Sequence, residues 1–330
     1  MLHSFSQNFE KGDIMVLGVN SNNSCQSGVD LIYLVFFKDI LTNTAFLISD
    51  NRWTGSNFST SEGVMLVKRT GGTLTAGTIV KIDINNSGAG TSPGWTITKA
   101  NTGNPFNLAT GADQFLIWQG TWNDSGAITG SFKLAYNTKR DWNANPDSNN
   151  SSLPNDLTCF HISSPLSNLY YRYYQGLTDV ISQGEWLVRI LNFNNWKNDL
   201  TNNTTGCQNF NAFFDSFPTN IPILTSIPEQ EICSGEALDD LEVVDESNVV
   251  EYQWYRNTSA STAGATPVGT NSFSYTPSNT LAGTYYYYCE MTIDLPLNGT
   301  SNTSDCTFTS NYFKVTINPQ PGTSPILATP

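Results

Sequence analysis

The chain has few charged side chains and almost no histidine. Only 13% of its 330 residues are charged, about half the usual share of a globular domain. A serine hydrolase needs a histidine base beside its nucleophile. The two histidines are His3, in a predicted N-terminal tail, and His161, which follows Cys159 and Phe160 on a predicted strand. Walker, dinucleotide-binding and His-Glu-x-x-His motifs are missing as well. We therefore expect a protein that is not an enzyme.

The chain also lacks a long apolar run and an excess of basic residues. No stretch approaches about 18 consecutive apolar residues, so we expect no membrane insertion. The net charge of −13 disfavours binding to nucleic acid, because a polyanion would be repelled. Residues 1–6 lack the charged start and apolar core of a signal peptide. We interpret them as the start of a mature or engineered chain whose export signal has been removed.

No two of the six cysteines form a Cys-x-x-Cys pair. This spacing disfavours a zinc ribbon or a thioredoxin-type site, and it favours disulfides formed in an oxidising compartment. The cysteines fall into two groups of three, so each group leaves one thiol over or shares a bridge with the other. The roles of the first group, Cys25, Cys159 and Cys207, stay open.

Asn, Thr, Ser and Gly take the place of the missing charge, and they separate many short apolar stretches. Such punctuation is typical of a β-sandwich or barrel. We predict an all-β fold. The predicted strands are Gly12–Asn20, Leu31–Phe37, Thr44–Ser49, Val64–Arg69, Thr78–Ile84, Trp95–Lys99, Gln114–Gln119, Ser131–Tyr136 and Trp186–Phe193.

Three of these segments carry more specific expectations. The unbroken apolar run Leu31–Phe37 predicts a central strand buried on both faces. Residues Ser131–Tyr136 alternate and predict a half-exposed strand. One short helix is predicted around Leu177–Ser182, and Asn194–Cys207 is interpreted as a loop.

Two Pro-rich stretches divide the chain. We predict an N-terminal β-sandwich over residues 1–217, a linker over 218–228, a second domain over 229–318 and a linker or tail over 319–330. In the second domain Trp254 lies between Cys233 and Cys289, and a Tyr-rich stretch leads to Cys289. A Cys, a Trp and a second Cys on a Tyr-rich strand are typical of an immunoglobulin-like sandwich.

Residues 12–69 contain four short patterns: Gly12-Asp13-Ile14, Phe37-Lys38-Asp39-Ile40, Asp50-Asn51-Arg52-Trp53-Thr54-Gly55 and Glu62-Gly63-Val64. Through these patterns the stretch resembles an N-terminal module of large secreted cell-surface proteins of the Bacteroidota. The resemblance implies a lamin-tail-like β-sandwich at the front of an adhesin-like protein exported by type IX secretion. The C-terminal signal of that pathway is not found in this sequence. The ending on a Pro/Gly stretch leads us to expect further modules of the same polypeptide as partners.

The second domain resembles the Ig-like repeats of the same proteins, through Tyr252-Gln253-Trp254-Tyr255 and Ala282–Cys289. It departs from antibody domains because Gly283 stands six residues before Cys289 rather than four. In related repeats an early Cys can pair with a late one, here Cys306. Both Cys233–Cys289 and Cys233–Cys306 therefore stay open as disulfides. Period two places Cys289 on the inward face with either partner.

Two loops carry the chemistry of carbohydrate binding, in which an exposed aromatic ring stacks on a sugar and amides or carboxylates hold its hydroxyls. Trp122 stands near Asp124, and Asp141, Trp142 and Asn143 are consecutive. These five residues are the predicted ligand-binding residues. The alternative is that each Trp folds down and covers the end of the sandwich.

No cofactor is predicted, although part of a calcium-loop pattern is present. Asp141, Asn143, Asn145 and Asp147 place oxygen atoms at alternate positions, but the sixth place lacks Gly and the twelfth is Ser152 in place of Glu. Calcium is therefore kept only as an alternative.

We expect a segment of a secreted or bacterial cell-surface protein that acts in adhesion or ligand presentation, with a glycan or surface ligand as partner. One alternative is a purely structural stalk. Another is a polysaccharide-active module, since any two carboxyls can meet in space. Asp39, Asp50, Glu62 and Asp113 carry no local signature of that chemistry.

Overall fold

A computed structural model describes residues 7–21, 29–109, 113–137, 142–143, 146, 151–163, 171–199, 204–223, 229–245, 248–293 and 306–320. Over these residues the chain is predominantly β, which confirms the predicted class. It divides into two compact units, which we describe separately. Unit 1 comprises residues 1–224 and 294–306, and unit 2 comprises residues 225–293 and 307–330.

The described part of unit 1 forms a 12-stranded sheet. Its strands are β1 (Ile14–Asn20), β2 (Val29–Phe36), β3 (Ala45–Ser49), β4 (Val64–Arg69), β5 (Ile79–Asn85), β6 (Gly90–Ser92), β7 (Trp95–Lys99), β8 (Gln114–Trp122), β9 (Ile128–Asn137), β10 (His161–Ile162), β11 (Tyr171–Tyr174) and β12 (Trp196–Asp199). Their order in the sheet is β10-β9-β8-β3-β4-β7-β6-β5-β2-β1-β11-β12.

The sheet folds over on itself around an aromatic core. Phe36 of β2 lies 6.0 Å from Phe46 of β3 and 5.6 Å from Trp95 of β7, measured between ring centroids. Neither β3 nor β7 is a neighbour of β2 in the sheet, so these contacts join its two halves face to face. That arrangement fits a β-sandwich.

Burial along the strands confirms one expectation and corrects another. The central strand β2 pairs with β1 and β5, and its described side chains are buried, as predicted for Leu31–Phe37. The prediction of a half-exposed strand at Ser131–Tyr136 is wrong. Lys133 is 6% exposed and Ala135 is fully buried, so both faces of β9 are covered along residues 132–136.

Within the described ranges two α-helices follow β11, and neither matches an element predicted from the sequence. Helix α1 (Gln183–Leu191) begins after Ser182, whose Oγ accepts a hydrogen bond from Glu185 N at 3.1 Å. The predicted helix at Leu177–Ser182 is therefore wrong, and so is the strand at Trp186–Phe193. Trp186 and Ile190, four residues apart, are both fully buried. A spacing of four residues between buried side chains is that of one face of a helix.

Helix α2 (Thr204–Ser216) and β12 occupy most of the stretch predicted as a loop. The α2 side chain Phe214 stacks on Tyr33 of β2 with ring centroids 3.6 Å apart. This packing needs a glycine beneath it, because a Cβ atom at Gly18 would lie 2.4 Å from the Phe214 ring. The apolar face of α2 therefore covers the outer side of the sheet.

Unit 2 contains β13 (Gln230–Cys233), β14 (Leu241–Glu242), β15 (Val249–Asn257), β16 (Thr266–Val268), β17 (Ser274–Tyr275), β18 (Gly283–Ile293), β20 (Phe313–Asn318) and all of β19 (Cys306–Thr309) except its first residue, which belongs to unit 1. Its described sheet has the order β13-β20-β18-β15-β16, with β19 paired to β18, and β14 pairs with β17. Trp254 is fully buried, and its ring lies 5.4 Å from that of Phe313. Cys289, opposite Trp254, is fully buried, as predicted.

The cysteine pairing differs from both predictions. Cys306 is bonded to Cys159, and Cys207 also takes part in a disulfide, whereas Cys233 and Cys289 are free thiols. Strand β20 lies between the strands of Cys233 and Cys289. That separation exceeds the reach of a disulfide, whose Cα atoms lie within about 7 Å.

Part of the stretch predicted as a linker packs on unit 1. Asn220 bridges to Thr78, Ile223 bridges to Ile181, and Ile221 is fully buried. Residues 224–228 and 321–330 lie outside the described residues. The boundaries proposed from the sequence stay predictions.

Candidate functional site

Trp122 and Asp124, the first pair of predicted ligand-binding residues, form a packed corner of unit 1. Trp122 is 9% exposed, and its ring lies 5.9 Å from Phe58. Trp122 Nε1 donates to Asp124 Oδ1 at 3.3 Å. Asp124 Oδ1 also accepts from Thr102 N at 3.0 Å, and this bond is the main reason that the pKa of Asp124 is lowered. The Trp122 ring is therefore part of the aromatic packing and presents no open face to a sugar.

The second predicted group is only partly described. Asp141 lies outside the described residues, whereas Trp142 and Asn143 are partly exposed. Trp142 Nε1 donates to His161 Nδ1 at 3.2 Å. Asn143 N donates to Ser151 O at 3.0 Å. Among the contacts of the described residues, none joins this pair to Trp122 or Asp124.

The partial calcium pattern is largely untested, since Asp141, Asn145 and Asp147 lie outside the described residues. Ser152 Oγ donates to Asn143 O at 2.8 Å, which ties the two ends of that loop together. Over the described residues, no three His, Cys, Asp or Glu side chains converge in a way that could hold a metal ion. Neither of the described helices is long and apolar enough to cross a membrane.

Three buried carboxylates hold three successive backbone N–H groups of the loop before β8. Asn107 N donates to Asp50 Oδ2 at 2.6 Å, Leu108 N to Asp30 Oδ2 at 2.8 Å, and Ala109 N to Asp113 Oδ2 at 2.6 Å. We call Asp30, Asp50 and Asp113 the carboxyl clasp. The three acids come from different parts of the chain: Asp30 from β2, Asp50 after β3 and Asp113 before β8.

Burial raises the pKa of every acid in the carboxyl clasp. Desolvation raises the pKa of Asp30 to about 7, although the bond from Leu108 lowers it. Desolvation, followed by repulsion from Asp113, raises the pKa of Asp50 well above its usual value. Glu62 lies near Asp50 and Asp113. Its own pKa is raised to about 6, chiefly by burial. These acids are thus protonated more readily than exposed acids are.

Perturbed acids are candidates for catalysis, but the geometry here favours a structural role. Both oxygens of Asp50 are engaged by backbone N–H groups, since Gly63 N donates to Oδ1 at 2.7 Å. Both oxygens of Asp113 accept as well, with Gln114 N at 2.8 Å from Oδ1. Asp50 is fully buried and Asp30 and Asp113 are 4% exposed. The carboxyl clasp therefore fastens a loop, and its acids present little surface to a substrate.

An open groove of about 610 Å³ lies over β5, β6 and β7. Strand pairing sets Asp83 opposite Thr91, and Thr91 opposite Thr96, so these side chains form a row on one face. Thr91 and Thr96 are exposed. Lys81 Nζ lies 2.9 Å from Asp83 Oδ1 and balances its charge. We call Asp83, Thr91 and Thr96 the polar row.

The polar row can hydrogen-bond a ligand without carrying net charge. Each hydroxyl donates one hydrogen bond and accepts others, and the Asp83 carboxylate accepts. Neighbouring strands are about 4.8 Å apart, so the row offers polar groups at regular intervals across the groove. The exposed Pro93 supplies apolar surface at its edge. Polar groups arranged beside apolar surface can orient a small polar molecule.

Sequence reasoning missed this groove. Thr91 and Thr96 belong to no carbohydrate-binding motif, and the local signal for an exposed face is the alternation of Thr96 and Thr98 with buried neighbours. Residues 90–94 have the sequence Gly-Thr-Ser-Pro-Gly, which matches the Gly-x-Ser-x-Gly pattern of a hydrolase nucleophile turn. That turn requires a strand followed by a helix, and here it joins β6 to β7. The pattern is therefore a hairpin and no catalytic turn.

Comparison of the chain with protein-family models, with curated proteins and with solved structures gives no match.

Proposed function

We propose that the chain is a non-enzymatic segment of an exported bacterial cell-surface protein, and that its polar row binds an uncharged, hydroxyl-rich ligand such as a glycan. In this proposal unit 1 is a lamin-tail-like sandwich and unit 2 an Ig-like sandwich of an adhesin-like protein. The Cys159–Cys306 disulfide supports an oxidising, extracellular location.

The observation that carries the proposal is the polar row itself. Thr91 and Thr96 present exposed hydroxyls in an open groove, and Asp83 is paired with Lys81. A net charge of −13 opposes polyanionic ligands. A neutral glycan is not repelled by this charge. Its hydroxyls can donate to Asp83 and exchange hydrogen bonds with both threonines.

The test is binding of the full chain to a glycan array, followed by titration calorimetry on any glycan that binds. The double variant Thr91→Ala with Thr96→Ala should weaken binding about tenfold or more, since two hydrogen bonds at about 1 kcal/mol each are lost. Thr98→Ala is the matched control, because Thr98 is an exposed threonine of β7 that does not line the groove. It should leave the affinity unchanged.

Three outcomes contradict the proposal. Wild-type chain that binds no glycan and no cell surface would favour a structural stalk. Binding that survives the double variant but is lost on Trp142→Ala would assign the ligand to the loop predicted from the sequence. Release of sugar from a polysaccharide panel by the full chain would favour an enzyme.

A further inference from the structure

A buried ion pair joins two of the short sequence patterns near the N-terminus. Lys38 Nζ contacts Asp13 Oδ2, and the two side chains are 13% and 5% exposed. Asp13 stands just before β1, and Lys38 follows β2. Three fully buried rings adjoin the pair in the chain or in space: Phe9, Phe36 and Phe37. Lys38 Nζ also lies 5.9 Å from the centre of the Phe9 ring.

Burial disfavours charge on the Asp13 carboxyl, because transfer of a charged group from water into an apolar interior is costly. The pKa of Asp13 is raised, with burial as the largest cause, although Lys38 and the Glu10 backbone oppose the shift. The contact between the Lys38 amine and the Asp13 carboxyl places a nucleophile beside an electrophile.

The neighbouring groups can assist a reaction between them. Glu10 N donates to Asp13 Oδ2 at 2.5 Å, so it can stabilise negative charge that develops on that oxygen. Glu10 lies in the same turn as Asp13, since Asp13 N donates to Glu10 O at 3.3 Å. A carboxylate on that turn is the kind of group that can carry a proton between an amine and an acid. Lys133, 6% exposed, also faces this cluster.

We propose that Lys38 and Asp13 are joined in the folded protein by an amide bond from Lys38 Nζ to Asp13 Cγ, which the fold forms by itself. Lys38 Nζ attacks Asp13 Cγ, and Oδ2 keeps its hydrogen bond from Glu10 N while the other oxygen leaves. Glu10 takes a proton from the attacking nitrogen and delivers it to the departing hydroxyl. One N–C bond forms, one C–O bond breaks, one water leaves, and nothing is oxidised or reduced.

The first measurement is the intact mass of the full chain after its disulfides have been reduced. The expected mass is lower than that of the sequence by one water. Trypsin should then fail to cleave after the acylated Lys38 and should yield Gly12–Arg52 in one piece. Chemical cleavage after Met15 opens this piece without releasing residues 12–15, because the new amide still holds them.

Lys81 and Asp83 provide a control within the same molecule. They form an ion pair at 2.9 Å, but their side chains are 40% and 33% exposed. Trypsin should cleave after Lys81 normally. Lys38→Arg keeps the positive charge and cannot form the amide, so its mass should equal that of its sequence. Glu10→Gln keeps the backbone N–H donor but removes the carboxylate that carries the proton. Cross-linking should therefore be slower by about a hundredfold.

The proposal is wrong if the wild-type chain, with its disulfides reduced, has the full mass of its sequence, or if trypsin cleaves completely after Lys38. Lys38 and Asp13 would then form an ion pair only. A missing water that persists in Lys38→Arg would locate the dehydration at another residue and overturn the assignment. If Lys38→Arg does not fold, the wild-type mass and peptide map decide the question alone.

Discussion

Asp30 should make unit 1 less stable as the pH rises, and Asp30→Asn should remove that loss. Asp30 is 4% exposed, and burial raises its pKa from 3.8 to about 7. Below about pH 4 the group is protonated in the folded and the unfolded chain, so it imposes no penalty. Between about pH 4 and 7 only the unfolded chain ionises freely, and the free energy of unfolding falls.

The size of the effect follows from the two pKa values. A difference between 3.8 and about 7 corresponds to about 4 kcal/mol above pH 7. Relaxation around an ionised carboxyl reduces such figures, so we expect a gain of about 2 kcal/mol from Asp30→Asn at about pH 8. The new amide oxygen can still accept the hydrogen bond from Leu108 N, which Asp30 accepts at 2.8 Å. Near pH 4 the variant and the wild type should be about equally stable.

The assay is urea unfolding followed by tryptophan fluorescence at several pH values. Seven of the eight tryptophans precede residue 225, so the signal reports chiefly on unit 1. Asp215→Asn is the control, because Asp215 is an exposed acid of helix α2 and its removal should leave the pH profile unchanged. A variant of Asp30 that is destabilised equally at about pH 4 and about pH 8 would refute the reasoning.

Three further predictions concern packing and thiols. Gly18→Ala should destabilise unit 1 by about 1–3 kcal/mol in urea unfolding, because the new methyl group meets the Phe214 ring at 2.4 Å. Gly72→Ala is the control and should leave the stability nearly unchanged, because nothing lies near that site. Burial raises the pKa of Cys289 to about 12. Mass spectrometry after alkylation at about pH 8 should therefore find Cys233 labelled and Cys289 unlabelled until the chain unfolds. Equal labelling of both thiols in the native protein would contradict this. Cys306→Ser should lower the melting temperature, with a loss of about 2–5 kcal/mol. Wild-type protein under reductant should melt lower still, because reductant also breaks the disulfide of Cys207. An unchanged melting temperature of the variant would count against a structural disulfide.

The strands were the most predictable part of the fold. Val64–Arg69 and Trp95–Lys99 have the same bounds in the sequence prediction and in the structure, because each is a short β-prone run between turn residues. Helix α1 was mistaken for a strand. Its run Trp-Leu-Val-Arg-Ile-Leu is compatible with either period, and periodicity alone cannot distinguish a short buried helix from a buried strand.

The candidate site was much less predictable. For Trp122 the sequence left two interpretations open, a ring that stacks on a sugar and a ring that folds down over the sandwich. The ring is 9% exposed and packs on Phe58, as the second interpretation has it. The polar row was missed because a threonine on a strand is ordinary in sequence. It becomes notable only when the pairing of β5, β6 and β7 aligns Thr91 with Thr96 over an open groove.

The sequence by itself determined the β class of this protein and the inward positions of Trp254 and Cys289. Both depend on local features, the turn residues and the alternation of side chains along one strand. Only the tertiary structure decided that Cys306 pairs with Cys159, that Lys38 meets Asp13, and that three distant acids share one loop. The order of strands in a folded sheet brings those residues together across long stretches of chain, and no local pattern records that order.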